Sequence, residues 1–196
     1  MILSNVEIHQ ALDDERLILE PEPSPRSPNG TDSDCPYQTS AIDLRLSNEI
    51  SYFNEGLPLT VDLRRGGFAK LFGPNSQRQT ITEEQPFHLE PGRLVLGKTL
   101  ESVGLPILED GNCLAARVEG KSSYARCGLL VHFTAPTIHS GFKGTITLEL
   151  YNLGPFTITL FPGAPICQLI IENVRGAPFR NDSQFHSQQD AGGNVG

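Results

Sequence analysis

The sequence predicts a mainly β fold with a short N-terminal helix, and two observations lead to this prediction. From residue 50 onward, short alternating or apolar segments are separated by glycine and proline, a spacing typical of β-sandwiches and β-barrels. A helical pattern is convincing only near the N-terminus. With 196 residues and 38% hydrophobic content, the chain can bury one sizeable core, so a single domain over residues 1–196 is expected.

The N-terminal helix is predicted from a capping box, in which Ser4 is followed three residues later by Glu7. The helix should end near Arg16. Its apolar face is expected to consist of Val6, Ile8, Ala11 and Leu12.

Residues 21–39 predict a surface loop, because five prolines and many short polar residues cannot fill a core. Residues 41–46 then alternate as a half-buried strand, with Asp43 and Arg45 on its polar side. These two side chains either form a structural salt bridge or approach a ligand. The polar, glycine-rich segment 177–196 by itself predicts a flexible, frayed C-terminal tail. Further strands are predicted over residues 57–63, 87–89, 93–99, 114–118, 129–133, 145–152, 156–161 and 166–172.

The composition excludes several kinds of partner. The formal net charge of −8 argues against a nucleic-acid polymer, because binding to a phosphate backbone needs a basic surface, whereas a small phosphate ligand needs only a local cluster of donors. No apolar run approaches the ~20 residues of a membrane span, and the first residues lack a secretory signal pattern, so no membrane partner is expected. The four cysteines form no C-x-x-C pair and are typical of reduced thiols in a cytoplasmic enzyme; they are Cys35, Cys113, Cys127 and Cys167.

One acid, Glu149, lies in an otherwise uncharged predicted strand. Side chains two residues apart share a face of a strand, so this carboxylate should be flanked by Thr147 and Tyr151. A carboxylate held between hydroxyls is a candidate general acid or base, and a solvated strand face is the alternative. The same alternation places Thr145 beside them and directs Ile146, Leu148 and Leu150 into the core.

A cluster of hydrogen-bond donors follows Gly120. Two cations and two hydroxyls occur within six residues after a predicted strand, which matches what a phosphate chain requires, and a basic surface turn is the alternative. The segment is not a P-loop, because Ala115 stands where that motif needs a glycine. The four donors are Lys121, Ser122, Ser123 and Arg126.

A catalytic zinc site is not expected from the sequence. The H-x-E and P-C-x-x-C motifs of the zinc nucleobase deaminases do not occur. His132 and His139 are separated by Pro136, and two histidines without a third ligand make a poor catalytic zinc site. His132 lies in an apolar segment and is expected to be a satisfied core histidine.

In these residues the chain resembles the deoxycytidine triphosphate (dCTP) deaminases, within the superfamily that includes the trimeric dUTPases. The pattern G-[KR]-S-S-x-A-R-x-G at residues 120–128 and the L-E-x-x-N strand at residues 148–152 occur together, at spacing like that of the family. The likeness covers nearly the whole chain and includes residues 41–46, 89–101, 131–144 and 162–169.

The resemblance implies a dUTPase-like distorted β-barrel that assembles as a homotrimer. It implies that dCTP is hydrolysed to dUTP and ammonia with Glu149 as the general base, and that Ser122 and Arg126 contact the nucleotide beside this acid. Mg²⁺ is expected to arrive with the triphosphate and zinc is not expected, while dTTP is a candidate feedback inhibitor. The other binding positions that the resemblance implies are Lys121, Ser123, the backbone around Thr134 and Ala135, Thr147, Leu148 and Gln188. The resemblance also implies that the flexible C-terminal segment 177–196, which contains Gln188, closes over the triphosphate as a lid.

This chain departs from the family pattern at two positions. His139 stands where many relatives have an aspartate, which helps to activate water in the dUTPases and contacts the deoxyribose in many deaminases. His139 is therefore expected in the substrate site, and further hydrolysis of dUTP to dUMP is expected to be slow or lost. Gln184 stands where some relatives have a phosphate-binding lysine. The alternative functions are a dUTPase, a bifunctional enzyme that forms dUMP from dCTP, and a non-catalytic nucleotide-binding regulator.

Overall fold

The computed structural model describes residues 1–28, 34–54, 56, 60–62, 64 and 74–179. The chain is mainly β with one short N-terminal helix, as predicted. The helices whose two ends both lie among these residues are α1 (Asn5–Asp13) and α2 (Ser122–Ala125). The strands are β1 (Ile18–Glu20), β2 (Ile42–Arg45), β3 (Glu49–Phe53), β4 (Ser76–Thr80), β5 (Phe87–Leu89), β6 (Leu94–Gly104), β7 (Leu114–Gly120), β8 (Leu129–Leu130), β9 (Thr137–Ile138), β10 (Lys143–Asn152), β11 (Ile158–Leu160) and β12 (Pro165–Asn173).

The capping box at the start of α1 is confirmed. Ser4 Oγ accepts a hydrogen bond from the Glu7 backbone N–H at 3.3 Å, and Glu7 Oε2 accepts one from the Ser4 backbone N–H at 3.1 Å. Ile8 and Ala11 are buried, but Val6 is exposed, so its assignment to the apolar face was wrong. Val6 precedes Ile8 by two residues, which turns its side chain about 200° away around the helix. Among the described residues, no helix combines the length and apolar character needed to cross a membrane.

The strand β2 and the loop before it are more buried than predicted. Asp43 is buried together with its apolar neighbours, and Arg45 is the one residue of β2 that is partly exposed. Cys35 and Tyr37 are also buried, and Tyr37 forms an isolated bridge with Ile42. The expectation that residues 21–39 stay outside the core was therefore wrong, because an average polar composition conceals two side chains that pack inward.

Eight of the nine predicted strands correspond to described strands, namely β2, β5–β8 and β10–β12, and only β5 has the predicted ends. The prediction over residues 57–63 falls mainly outside the described residues, and 60–62 are not in a strand. Four strands were not predicted. The strand β4 (Ser76–Thr80) is entirely polar and pairs with β3 along its whole length, and β9 has only two residues. Both strands are therefore defined by pairing with distant parts of the chain and not by a local sequence pattern.

The strands form three sheets. The largest has the order β4-β3-β6-β10-β8, with β1 also paired to β6; a second has the order β2-β12-β7-β9, and β5 pairs with β11. Across the described residues these sheets do not close into the barrel that was expected, because the chain leaves β10 after β8 and pairs with β7 instead. Side chains from both large sheets and from α1 meet in one core, including Ile8, Leu44, Leu148 and Leu169.

An irregularity in the pairing of β6 with β10 places a buried charge in this core. Thr145 pairs with Ser102 and Thr147 with Lys98, so β6 carries the extra residues. One of these extra residues, Glu101, is fully buried and accepts a hydrogen bond from Arg45 Nε at 2.6 Å. Arg45 is thus paired with Glu101 rather than with Asp43, which corrects the predicted salt bridge within residues 41–46.

Candidate active site

The alternation predicted for β10 is confirmed. Ile146, Leu148 and Leu150 are buried, and the side chains between them are only partly buried. Glu149 lies on this second face opposite Leu96 of β6. Because the Leu148 side chain is fully buried on the other face, only its backbone is left to border a ligand.

A gap opens beside β10, between the strand and residues 131–138. The pairing of β8 with β10 is restricted to Tyr151 and Asn152, and the chain then diverges until β9 pairs with β7. The two sides meet again in the turn 139–142, where the Phe142 backbone N–H donates to the His139 carbonyl at 3.1 Å. Within the described residues, no strand pairs with the edge of β10 that faces the gap from residue 143 to 150. Glu149 therefore lies in a stretch of β10 whose edge toward the gap has no pairing strand among the described residues.

The opposite side of the gap contains two residues that the resemblance assigns to base recognition. Thr134 and Ala135 are both exposed, and they follow Phe133, whose ring packs against that of Tyr151. Their backbone groups thus lie across the gap from the open edge of β10. A pyrimidine presents donors and acceptors along its ring edge, and two backbone edges are suited to bind it.

The predicted phosphate-binding residues lie on α2 and its ends. The carbonyl of Lys121 accepts from the backbone N–H groups of Tyr124 and Ala125 at 3.0 and 2.9 Å, which fixes the turn. Ser122, Ser123 and Arg126 are exposed, and within the described part of the chain their side chains form no hydrogen bond or ion pair. Two hydroxyls and one guanidinium on one short turn are therefore available to a ligand.

The fourth predicted phosphate-binding residue, Lys121, is directed elsewhere. Its ammonium group donates to Asp43 Oδ2, and the side chains of the pair are 19% and 11% exposed. Asp43 Oδ1 also accepts from Gln168 Nε2 at 2.9 Å. Lys121 and Arg45 line a cavity of about 360 Å³ that also contacts Cys35 and Pro165, and Glu149 does not line it. The charge of Lys121 is thus compensated on β2 rather than presented to the gap.

We expect replacement of Lys121 with methionine to reduce stability more than it weakens nucleotide binding. The change leaves the buried Asp43 without its cation, which should cost about 1–3 kcal/mol. Adding Asp43→Asn removes the uncompensated charge, so the double variant should recover part of this loss, with a coupling energy on the order of 0.5–3 kcal/mol. Denaturant unfolding of the two single variants and the double variant measures this coupling. A large rise in KM for dCTP at unchanged stability would instead place Lys121 on the triphosphate.

A junction between α2 and the end of β10 was not found by sequence reasoning. Asn152 is fully buried, and its Nδ2 donates to the Leu89 and Phe156 carbonyls at 2.8 and 2.7 Å. Its Oδ1 accepts from the Gly154 backbone N–H at 2.9 Å. A Cβ added to Gly128 would lie 2.2 Å from the Gly154 nitrogen, so the two glycines permit direct backbone contact. The sequence signals for this junction are the asparagine of the L-E-x-x-N pattern and the glycines at 128 and 154.

The structure does not bring all the predicted site residues together. No hydrogen bond or ion pair joins Glu149 to Ser122 or Arg126 among the described residues. Glu149 on β10 and the two residues at α2 nevertheless flank the pairing of β8 with β10. His139 is exposed and follows β9 near the first residues of β7, whereas Ser122 lies beyond the last residue of β7. The predicted residue Gln188 and the departure at Gln184 lie outside the described residues.

His132 is not the satisfied core histidine that was expected. It is half-buried outside β8, its Nε2 lies 4.0 Å from Glu119 Oε2, and its buried Nδ1 has no hydrogen-bond partner within the described chain.

All four cysteines are free, and Cys127 is exposed. Burial raises the pKa of the Cys167 thiol, and the carboxylates of Glu101 and Asp43 raise it further, so this thiol remains protonated.

The arrangement of potential ligand side chains bears on the expected Mg²⁺. No group of three histidine, cysteine, aspartate or glutamate side chains within the described ranges is arranged to hold a metal ion. The side chains described here therefore do not fit a metal cage made by the protein alone. Any Mg²⁺ would need most of its oxygen ligands from a bound triphosphate and from water.

Comparisons with known proteins agree with the predicted resemblance. The family model described as dCTP deaminase-like matches residues 2–174. A protein of Dictyoglomus turgidum named dCTP deaminase, dUMP-forming, is 34% identical over 194 residues, which cover 96% of this chain and 91% of the relative. A protein of Shewanella amazonensis named dCTP deaminase is 35% identical over 199 residues, which cover 97% of this chain and 95% of the relative.

A solved structure is similar in fold. The crystal structure of 2′-deoxycytidine 5′-triphosphate deaminase from Agrobacterium tumefaciens matches with a TM-score of 0.59 at 20% identity, over 87% of this chain. The match covers 47% of the Agrobacterium chain, so this chain spans about half of that protein's length. The family match over residues 2–174 and the two relatives above 30% identity show that this chain belongs to the dCTP deaminase-like family.

Proposed function

We propose that the protein catalyses the hydrolytic deamination of dCTP, with Glu149 as the general base. The observation that carries this proposal is a carboxylate on a strand whose edge is open to a gap bordered by backbone groups. In the proposed reaction Glu149 takes a proton from water as the water oxygen attacks C4 of cytosine. The carboxyl group then gives this proton to N3 of the ring. The carboxylate next takes the proton of the new C4 hydroxyl and passes it to the exocyclic amine, so that the bond between C4 and the amine nitrogen breaks and ammonia leaves with dUTP as the product.

Substrate binding is proposed to span the β8–β10 pairing. The cytosine ring would occupy the gap, with its edge hydrogen-bonded to the backbone around Thr134 and Ala135 and bordered by β10 at Thr147 and Leu148. The triphosphate would extend toward α2, where Ser122, Ser123 and Arg126 are exposed donors. A bound nucleotide would therefore bridge the groups that do not contact each other directly. Mg²⁺, bound through the triphosphate, would neutralise part of the phosphate charge.

The proposed cytoplasmic location rests on the four cysteines, which form no C-x-x-C pair. Other parts of the proposed function rest on the resemblance alone, namely the assembly of the chain as a homotrimer and feedback inhibition by dTTP. The same holds for closure of the C-terminal segment over the triphosphate through Gln188. Each remains a prediction.

A second candidate function is formation of dUMP from dCTP. The relative from Dictyoglomus turgidum and one from Rhodococcus erythropolis, 38% identical over 179 residues, are both named dUMP-forming. Against this candidate, His139 stands where diphosphate-releasing members of the superfamily use an aspartate. Imidazole differs from a carboxylate in reach, and it binds phosphate rather than activating water when it is protonated. We therefore favour dUTP as the main product.

Incubation with dCTP and Mg²⁺ tests both functions in one experiment. The protein is first treated with a zinc-selective chelator, and dUTP, dUMP, pyrophosphate and ammonia are then followed over time. We expect ammonia and dUTP to form in equal amounts, with little pyrophosphate and with the same rate as untreated protein. Pyrophosphate that appears in step with ammonia would support the second candidate, and activity that is lost with removal of stoichiometric zinc would contradict the proposed mechanism.

A further inference from the structure

An exposed aromatic side chain lies at the gap beside Glu149. Phe133 is 48% exposed and belongs to the segment that leaves β10 after β8. Its ring centroid is 5.8 Å from that of Tyr151, with an angle of 59° between the ring planes. Tyr151 shares a strand face with Glu149, and these two residues are about 7 Å apart along the strand. The aromatic pair therefore flanks the carboxylate at the end of the gap where β8 and β10 pair.

The two rings are well placed to form one wall of a site for a flat ligand. The tilted contact with Tyr151 covers only part of the Phe133 ring, and the remainder is exposed. Aromatic side chains bind planar rings by offset or edge-to-face contacts, and every nucleobase has a π face for this contact. Thr134 and Ala135 follow Phe133 directly in the chain and are exposed. Their backbone groups are therefore placed to contact the edge of a planar ligand whose face lies against Phe133.

We propose that Phe133 is a substrate-binding residue that stacks on the pyrimidine ring in this gap. The inference rests on the proposed function, which places the cytosine beside Glu149. Such a stack contacts one face of the whole ring, whereas the addition of water changes the geometry of the ring at C4 only. The contact is therefore similar in the bound substrate and in the transition state, and its loss should raise KM with little change in kcat.

Three variants of Phe133 test this inference by kinetics. Phe133→Leu keeps an apolar side chain of moderate size but removes the aromatic face, and KM for dCTP should rise roughly 5- to 150-fold. Phe133→Tyr restores an aromatic face and should keep KM near that of the wild type. A merely structural role of Phe133 would lower kcat or stability in Phe133→Leu instead. An unchanged KM in Phe133→Leu would overturn the proposal.

The third variant, Phe133→Trp, provides a direct measurement of base binding. The chain contains no tryptophan, so this variant has a single indole fluorophore at the proposed contact. It is combined with Glu149→Gln to prevent turnover and titrated with dCTP, with dUTP and with inorganic tripolyphosphate. We expect both nucleotides to quench the fluorescence by stacking and tripolyphosphate to leave it unchanged. Phe161→Trp, at a phenylalanine that is 37% exposed outside the gap, is the matched control and should not respond.

The measurements separate failure of this inference from failure of the proposed function. Absence of quenching by either nucleotide, or equal quenching by tripolyphosphate, would overturn the stacking role of Phe133 even if the wild type releases ammonia from dCTP. Conversely, quenching by dUTP in Phe133→Trp with no ammonia release by the wild type would support the stacking role and reject deamination.

Discussion

Replacing Glu149 with glutamine is expected to lower kcat for deamination of dCTP by roughly 10²–10⁴-fold, because an amide cannot take a proton from water. The fold should be unaffected. Glu149 is only partly buried and forms no hydrogen bond or ion pair within the described chain, so an amide of nearly the same shape leaves no group unsatisfied. Steady-state ammonia release and thermal unfolding of the purified variant measure the two effects, and nucleotide binding by calorimetry should remain near that of the wild type.

Glu172→Gln is the matched control for this variant. Glu172 also lies on a strand and is partly buried, but it pairs with Arg117 at 2.9 Å in the other large sheet. Its replacement should leave kcat unchanged and cost no more than ~1 kcal/mol of stability, as is usual for a partly exposed ion pair. Deamination by Glu149→Gln at a rate within a few-fold of the wild type would exclude Glu149 as the general base.

The fold elements that could be predicted from sequence are those whose local pattern agrees with their burial. In β10 a period of two coincides with one buried and one partly buried face, so Ile146 and Glu149 were assigned to the correct faces of the strand. The capping box of α1 is likewise a local signal within four residues. By contrast, the buried Glu101 depends on the irregular pairing of β6 with β10 and on Arg45, which lies 56 residues away in sequence. Such a contact leaves no signal in either segment alone.

The candidate site shows the same division between local and long-range information. The donors of α2 are adjacent in sequence, and their exposure could be anticipated from composition. The gap beside β10 could not be predicted from the sequence, because it forms only when residues 131–138 leave one sheet and β9 pairs with β7 in the other. The ion pair between Lys121 and Asp43 also joins segments that are distant in sequence. The motif alone predicted that Lys121 binds the phosphates, whereas in the structure its charge is compensated by Asp43.

The second large effect is expected at the junction between α2 and β10, where Gly128→Ala should cost about 2–5 kcal/mol of stability and most of the activity. Gly128 has a φ of +93°, a conformation that costs an L-residue roughly 1–2 kcal/mol. Its added Cβ would also meet the Gly154 nitrogen at 2.2 Å and the Gly154 Cα at 2.5 Å, and relieving such overpacking typically costs about 1–3 kcal/mol. Because both contacts are to backbone, no side-chain rotation can remove them.

Gly163→Ala separates the two contributions to this effect. Gly163 has a similar φ of +77°, but a Cβ added there has no atom within 4 Å, so this control carries the backbone strain without the collision. Denaturant unfolding should therefore show a loss of only about 1–2 kcal/mol for Gly163→Ala, with deamination unchanged. In Gly128→Ala the backbone between Arg126 and Leu129 must move away from Gly154, which displaces the guanidinium proposed to bind the triphosphate relative to Glu149. Equal stability losses in the two variants, with full activity in both, would show that the contact between Gly128 and Gly154 does not position the site.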